Sequence, residues 1–161
     1  MARDHARLQL GIWKDADFRS LTREGQHMYL MLLSQPSLSY CGVMDWWPNR
    51  LALLSHGTEE GDVYAAVKEL IDADFVALDA DTSELLVRSY VRHDGLFQRS
   101  NMGKAVARAL ERVASLELTD LVMKELARYY ATDPNQAGWN GFADALPDQF
   151  TVLSAMASRK A

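Results

Sequence analysis

Residues 58–92 read TEEGDVYAAVKELIDADFVALDADTSELLVRSYVR, a stretch that predicts a helix followed by a β-hairpin. Its first half repeats apolar side chains at the spacing of one buried helix face: Val63, Ala66, Val67, Leu70 and Ile71. Thr58 is the expected N-cap of this helix. In the second half, the apolar stretches 75–78 and 84–92 flank a polar loop at 79–83, which is typical of a hairpin.

Four shorter elements are predicted before this stretch. Residues 7–13 alternate polar and apolar side chains, which predicts a strand, and a second strand is predicted over 40–46. A largely apolar helix is expected from the N-cap Thr22 to about residue 34. Pro48 is expected to open a short helix, because proline loses no hydrogen bond in the first turn.

The last third of the chain predicts a helical extension of this unit. Two helices are expected at about 101–114 and 117–130. The segment beyond them holds too many large apolar side chains for a solvated tail: Trp139, Phe142, Leu146 and Phe150. We therefore expect residues 95–161, with a short helix after Pro147, to pack on a domain formed by 7–94. The predicted fold class is α+β, mainly helical, with additional C-terminal helices.

Several short motifs fall in a fixed order along residues 8–93. They are Trp13 and Phe18, Gly25-x-x-x-Tyr29-Leu30-x-Leu32-Leu33, Gly42-Val43, Leu51-Ala52-x-Leu54, Asp62-Val63-x-x-Ala66-Val67-x-x-Leu70 and Phe75-Val76. This region resembles the N-terminal winged helix-turn-helix domain of phage replisome organisers and DnaD-like replication initiators, and it is similar to small helix-turn-helix proteins of actinobacterial phages. The resemblance implies binding of double-stranded DNA in replication or its control. The predicted function is a non-enzymatic DNA-binding protein of phage replication or transcription control.

Charge is distributed unevenly along the 161 residues, whose formal net charge is −5. Residues 22–87 carry three Lys or Arg against eleven Asp or Glu, whereas residues 88–112 carry six against two. In a helix-turn-helix the second helix enters the major groove. The helix predicted after Thr58 would bring mainly acids to that position, and the phosphate backbone would repel them.

The basic block therefore supplies the predicted DNA-binding residues: Arg88, Arg92, Arg99, Lys104, Arg108 and Arg112. In a strand, Arg88 and Arg92 would share one face. In the helix that follows, Lys104, Arg108 and Arg112 are spaced four apart and therefore lie on one side. Three interpretations stay open for this block: contacts to duplex phosphates, a solvated face with weak ion pairs, or docking of an acidic protein partner. The alternative function is a protein–protein adaptor that binds a host or phage protein through its acidic face. A homodimer is a further alternative.

Trp46-Trp47 is the most unusual dipeptide of the chain. In an extended segment the two rings point to opposite sides, so one is expected in the core and the other outside it. The outer ring is either covered by the C-terminal segment or serves as an interface anchor, since tryptophan is enriched at binding hot spots.

The sequence carries no pattern typical of catalysis, a cofactor or a metal site. There is no GxGxxG, GKS/T or GxSxG motif, and the four histidines show no HxxxH spacing. No apolar run approaches the roughly 18 residues of a membrane span, and the N-terminus lacks a secretory core. Cys41 is the only cysteine, so an intramolecular disulfide is excluded and a reducing cytoplasm is expected.

Overall fold

The computed structural model describes residues 4–159, which form an α+β, mainly helical protein. The α-helices in this range are α1 (Ala16–Ser20), α2 (Arg23–Leu33), α3 (Pro48–Ala52), α4 (Glu60–Asp72), α5 (Tyr90–His93), α6 (Ser100–Glu111), α7 (Leu116–Thr132), α8 (Gly138–Ala145) and α9 (Pro147–Ser158). Short 3₁₀-helices span Leu10–Lys14 and Leu96–Gln98. None of the helices in this range is long and apolar enough to cross a membrane. The last two residues of the predicted extension, 160 and 161, lie outside the described range.

Three short strands form one antiparallel sheet: β1 (Val43–Asp45), β2 (Val76–Asp79) and β3 (Glu84–Val87). The hairpin strands β2 and β3 pair with each other, and β1 pairs with the other edge of β3. Successive residues Leu85, Leu86 and Val87 of the central strand are all at most 1% exposed. Both faces of β3 are therefore covered, and α7 contacts both hairpin strands.

Helices α2 and α4 form where the apolar pattern predicts them. Val63, Val67 and Leu70 of α4 are at most 1% exposed. Thr22 caps α2 as expected, because its hydroxyl accepts a hydrogen bond from the Gly25 amide at 3.1 Å. The N-cap of α4 is Glu59 rather than Thr58, because a capping box forms there with the carboxylate three residues further on.

Two of the strand predictions are wrong. Residues 7–13 form no strand; Leu10–Lys14 is instead a 3₁₀-helix without a buried residue, and no strand of the sheet lies beside it to pair with. The strand predicted over 84–92 ends at Val87, and α5 follows at Tyr90. Tyr90 and Val91 are both buried. In a strand with one exposed face, two successive side chains point to opposite faces, so only one of them would be buried.

The C-terminal helices join the same hydrophobic core as the sheet. Trp139, Phe142 and Leu146 are buried, as predicted for a docked segment, and α9 begins at Pro147 as expected. Helix α8 was not among the predicted helices. One continuous buried cluster runs from Phe18 to Ala157, so residues 7–94 and the described part of the extension share a core.

Helices α6 and α8 approach each other so closely that backbone touches backbone. A Cβ atom on Gly103 would overlap the carbonyl oxygen of Gly138, and one on Gly141 would overlap the carbonyl oxygen of Ser100. Only glycine fits at these contacts. They fix the orientation of α6 and, with it, the direction of its outward side chains.

Glu84, the first residue of β3, caps helix α7. Its two carboxylate oxygens accept hydrogen bonds from the amides of Ala114 at 3.0 Å and Ser115 at 2.7 Å. These amides lie just before the first helical residue, Leu116. The negative charge also suits the positive end of the helix dipole, so one side chain joins the hairpin to α7.

We expect Glu84→Ala to lower the free energy of unfolding by about 1–2 kcal/mol, because two amides lose their acceptors. Urea denaturation measures this change. Glu111→Ala is the matched control, since Glu111 is exposed and has no ion pair within residues 4–159. It should shift stability by less than about 0.5 kcal/mol. Equal stability of the two variants would contradict the capping role of Glu84.

Candidate nucleic-acid interface

The six predicted DNA-binding residues separate into two groups. Arg88 and Arg92 lie at the end of the hairpin and in α5, next to α7. The other four follow α6, from its N-cap to its C-cap: Arg99, Lys104, Arg108 and Arg112. The two groups have different surroundings, so they differ in what they can bind.

Arg88 and Arg92 converge on a buried carboxylate, that of Glu125 on α7, which is 2% exposed. Arg92 Nε lies 2.9 Å from Glu125 Oε2, and Arg88 Nη2 lies 3.7 Å from Glu125 Oε1. Arg128 Nη1 donates to the same Oε1 at 3.0 Å. Arg88 also donates to the exposed Asp74 at 2.7 Å. Both arginines are therefore engaged inside the protein and tie α5 and the hairpin to α7.

Sequence reasoning missed Glu125 and Arg128 as members of this cluster. A signal was present, because Glu125 falls on the apolar stripe of α7 with Leu118 and Val122, at i, i+4 and i+7. An acid on a buried stripe needs a cationic or hydrogen-bonding partner. The pattern alone does not say which residue supplies that partner.

The cationic side of α6 faces away from the core. The buried side of the helix is formed by Gly103, Val106, Ala107 and Leu110. Arg108 and Arg112 are exposed and have no ion pair or hydrogen bond from their side chains within the described residues, and the same holds for Arg99. Lys104 Nζ lies 3.7 Å from a carboxylate oxygen of Asp144 on α8. This ion pair is accessible to solvent and contributes little to stability. The helix is thus two-sided, as its sequence predicts.

A groove of about 600 Å³ runs between α6 and the edge strand β1. Arg108 and Arg112 line one wall, and residues 36–40 contribute to the other. Asp45 and Glu84 also line it, but the Glu84 carboxylate is occupied by the cap of α7. The two arginines therefore lie on the rim of a concave surface.

Three of the four acids of α4 have partners within the protein. The Asp62 carboxylate accepts from the N-cap amide at 2.8 Å, and Glu69 accepts from both the amide and the hydroxyl of Thr22 at 2.7 Å. Asp72 pairs with Lys68 at 2.6 Å. These acids cap α4 and α2 or neutralise a neighbour. Their charge nevertheless remains on the outer side of α4.

The 79–83 loop is held in a tight turn beside α7. Asp79 Oδ1 accepts from the amides of Asp81 at 3.0 Å and Thr82 at 3.3 Å, which is an Asx turn. The Ser115 hydroxyl and these amides lower the pKa of Asp79. A loop that carries acids and is tied to a helix terminus is a poor probe for the minor groove.

The two neighbouring tryptophans separate as predicted, one inside and one outside. Trp46 is buried, with its ring edge-on to Tyr64 at a centroid distance of 5.8 Å. Trp47 is 46% exposed, and the guanidinium of Arg50 lies 4.5 Å from its ring centroid. The outer ring is thus only partly covered, and a cation–π contact accompanies it.

Two further titratable groups have shifted pKa values. Partial burial lowers the pKa of His93, the charge of Arg92 lowers it further, and Asp15 and Glu125 oppose these effects. Burial raises the pKa of the free Cys41 thiol, which keeps it protonated and unreactive. Within residues 4–159, no group of three or more His, Cys, Asp or Glu side chains could hold a metal ion.

No protein-family model, curated protein or solved structure matches the chain.

Proposed function

We propose that residues 7–94 form a winged helix-turn-helix domain and that the protein binds double-stranded DNA without catalysing a reaction. The element order from α2 to β3, which is helix, strand, two helices and hairpin, supports the fold assignment. In this assignment α3 and α4 are the helix-turn-helix and the 79–83 loop is the wing. A role in phage replication or transcription control rests on the resemblance of residues 8–93. The buried free Cys41 suits a reducing cytoplasm.

The DNA site that we propose is the outward side of α6. One observation carries it: Arg99, Arg108 and Arg112 are exposed and unpaired within the described residues. An unpaired guanidinium can bind a phosphate through two parallel hydrogen bonds without first breaking an internal ion pair. Arg88 and Arg92 lie beside Glu125 of α7 and not on the outward side of α6, so we assign them no direct DNA contact.

The spacing of the bases along α6 suits a run of phosphates. Residues 104 and 112 are separated by about 12 Å at 1.5 Å per residue. Duplex DNA carries one negative charge per about 1.7 Å of its axis, so Lys104, Arg108 and Arg112 could each meet a different phosphate. Contacts of this kind position a protein on DNA and carry no sequence information. Most of the proposed binding free energy is therefore independent of the DNA sequence.

The outer side of α4 is the less favourable docking surface. It exposes Glu60, Asp62 and Asp72 against the single base Lys68, which Asp72 already neutralises. Bringing this side into the major groove would place unbalanced negative charge among phosphates. The proposed protein therefore keeps the scaffold of a helix-turn-helix protein and binds DNA through its C-terminal extension.

Fluorescence anisotropy with a labelled random duplex tests the proposal. At low salt, binding is expected at micromolar protein or tighter, since non-specific complexes have dissociation constants of about 10⁻⁴–10⁻⁶ M at physiological salt. Absence of binding at about 10 µM protein in 50 mM salt would contradict DNA binding and favour the second candidate function.

The second candidate is a protein–protein adaptor, and a specific observation favours it. Large apolar side chains remain exposed around α3 and on α4: Trp47, Leu53, Leu54 and Tyr64. Exposed tryptophan and tyrosine are typical anchors of protein interfaces, and the nearby Glu59 and Glu60 would favour a basic partner.

For this function, replacing Trp47 and Leu53 by alanine should abolish partner binding or self-association. DNA binding through α6 predicts unchanged affinity for duplex in the same variant.

A further inference from the structure

A cavity of about 680 Å³ lies between the N-terminal segment, the end of the hairpin and α7. Its volume falls in the range of small-molecule sites, about 300–1,000 Å³. Part of its lining is apolar and comes mainly from the N-terminal segment, α1 and α2: Leu8, Ile12, Phe18 and Leu33. The other part is the arginine cluster around Glu125.

In the charged cluster of this cavity three guanidinium groups contact two carboxylates. Three guanidinium groups, those of Arg88, Arg92 and Arg128, share the buried carboxylate of Glu125. Asp74 binds Arg88 from the solvent side, since its own side chain is largely exposed. Arg92 Nε lies 2.9 Å from Glu125 Oε2 but without hydrogen-bond geometry, and the buried Nε of Arg88 has no acceptor among the described residues. Guanidinium donors in a partly buried site are costly unless an anion satisfies them.

Outside this cluster the lining carries one further base, Arg7, and three further acids, Asp15, Asp17 and Asp94. The Asp15 carboxylate accepts from the amides of Asp17 and Phe18 at the start of α1, and Asp94 accepts from a tyrosine hydroxyl. Two hydroxyl groups that also line the cavity, those of Tyr29 and Ser89, lie 3.2 Å apart. They can rotate to donate to an oxyanion.

We propose that this cavity binds a small organic anion, with its phosphate or carboxylate group on Arg92 and Arg128 and its apolar body against Leu8 and Ile12. Both oxyanions match the planar fork of a guanidinium. Arg88 stays with Glu125 and Asp74 and orients the cluster. This site is separate from the DNA surface proposed on α6, since the two share no residue.

Isothermal titration calorimetry with four probes tests the proposal: phenyl phosphate, benzoate, inorganic phosphate and phenol. Saturable binding is expected for phenyl phosphate, for benzoate or for both, which identifies the preferred oxyanion. Arg92→Ala and Arg128→Ala should each weaken that binding about tenfold or more, because each removes a charge-assisted hydrogen bond. The double variant R108A/R112A is the control and should bind the probes within about twofold of wild type, which separates this site from phosphate binding on α6.

The variant Glu125→Gln provides an independent test, because it removes the carboxylate that competes with the ligand for the arginines. It should tighten probe binding several-fold if the circular dichroism spectrum is unchanged. The wild-type titrations keep the proposal testable even if this variant unfolds. The proposal would be overturned if neither organic anion showed saturable binding up to about 10 mM. It would also be overturned if Arg92→Ala and Arg128→Ala left the affinity unchanged. If phenol bound as tightly as the organic anions, the proposed role of the arginines would be wrong. If inorganic phosphate bound as tightly as phenyl phosphate, the proposed contact of the apolar body with Leu8 and Ile12 would be wrong.

Discussion

Replacing Lys104, Arg108 and Arg112 together by alanine is expected to weaken duplex binding several hundred-fold at 0.1 M salt. At this concentration, releasing one counterion contributes about an eightfold factor per phosphate contact, and three contacts are lost. The fold should survive, because these side chains lie on the outward side of α6 and alanine favours helix. Fluorescence anisotropy measures the affinity, and circular dichroism confirms the fold.

The matched control for this variant removes three bases elsewhere: Lys14, Arg19 and Arg159. These side chains are exposed and have no ion pair within the described residues, so their loss changes the net charge equally without touching α6. Affinity in this control should fall by less than about tenfold through the long-range field alone. Equal losses in the two triple variants would mean that net charge, and not the α6 surface, governs binding.

Gly103→Ala is expected to lower the free energy of unfolding by about 3 kcal/mol or more. The new Cβ would overlap the backbone carbonyl of Gly138, and backbone cannot move aside as a flexible side chain can. Helices α6 and α8 would have to separate, which exposes the buried residues between them. For a chain of this size the melting temperature should fall by about 6–12 °C, as measured by calorimetry.

Gly61→Ala is the control for this substitution. Gly61 lies in the first turn of α4, and apart from its chain neighbours and the backbone of its own helix no atom lies within 4 Å of the position of a Cβ. Alanine at this position should stabilise the protein by about 0.5–1 kcal/mol through its helix propensity. If Gly103→Ala behaved like Gly61→Ala, the close packing of α6 on α8 would be wrong.

Elements with a strong local pattern were predictable from the sequence. The apolar period of α4 and the N-cap of α2 correctly identified these helices, because helix formation depends on neighbours three and four residues away. The short 79–83 loop also marked the hairpin correctly. The strand predicted over 7–13 failed, because a strand exists only where another strand pairs with it, and alternation does not encode the partner.

The partners of the charged residues were not predictable, because they are distant in the sequence. Glu69 binds Thr22, and Glu84 caps α7 some 30 residues later. Arg92 meets Glu125 in the same way, so a residue predicted to contact DNA also forms an internal ion pair. Local spacing shows which face carries charge, whereas only the tertiary contacts show which charges remain free for a ligand.

The salt dependence of duplex affinity, compared between wild type and the triple variant K104A/R108A/R112A, tests the α6 surface most directly. The slope of the logarithm of the association constant against the logarithm of salt concentration is about −0.9 for each phosphate contact. Four contacts, through Arg99 and the three replaced bases, predict about −3.6 for wild type and about −0.9 for the variant. The same slope for both proteins would contradict DNA binding through α6.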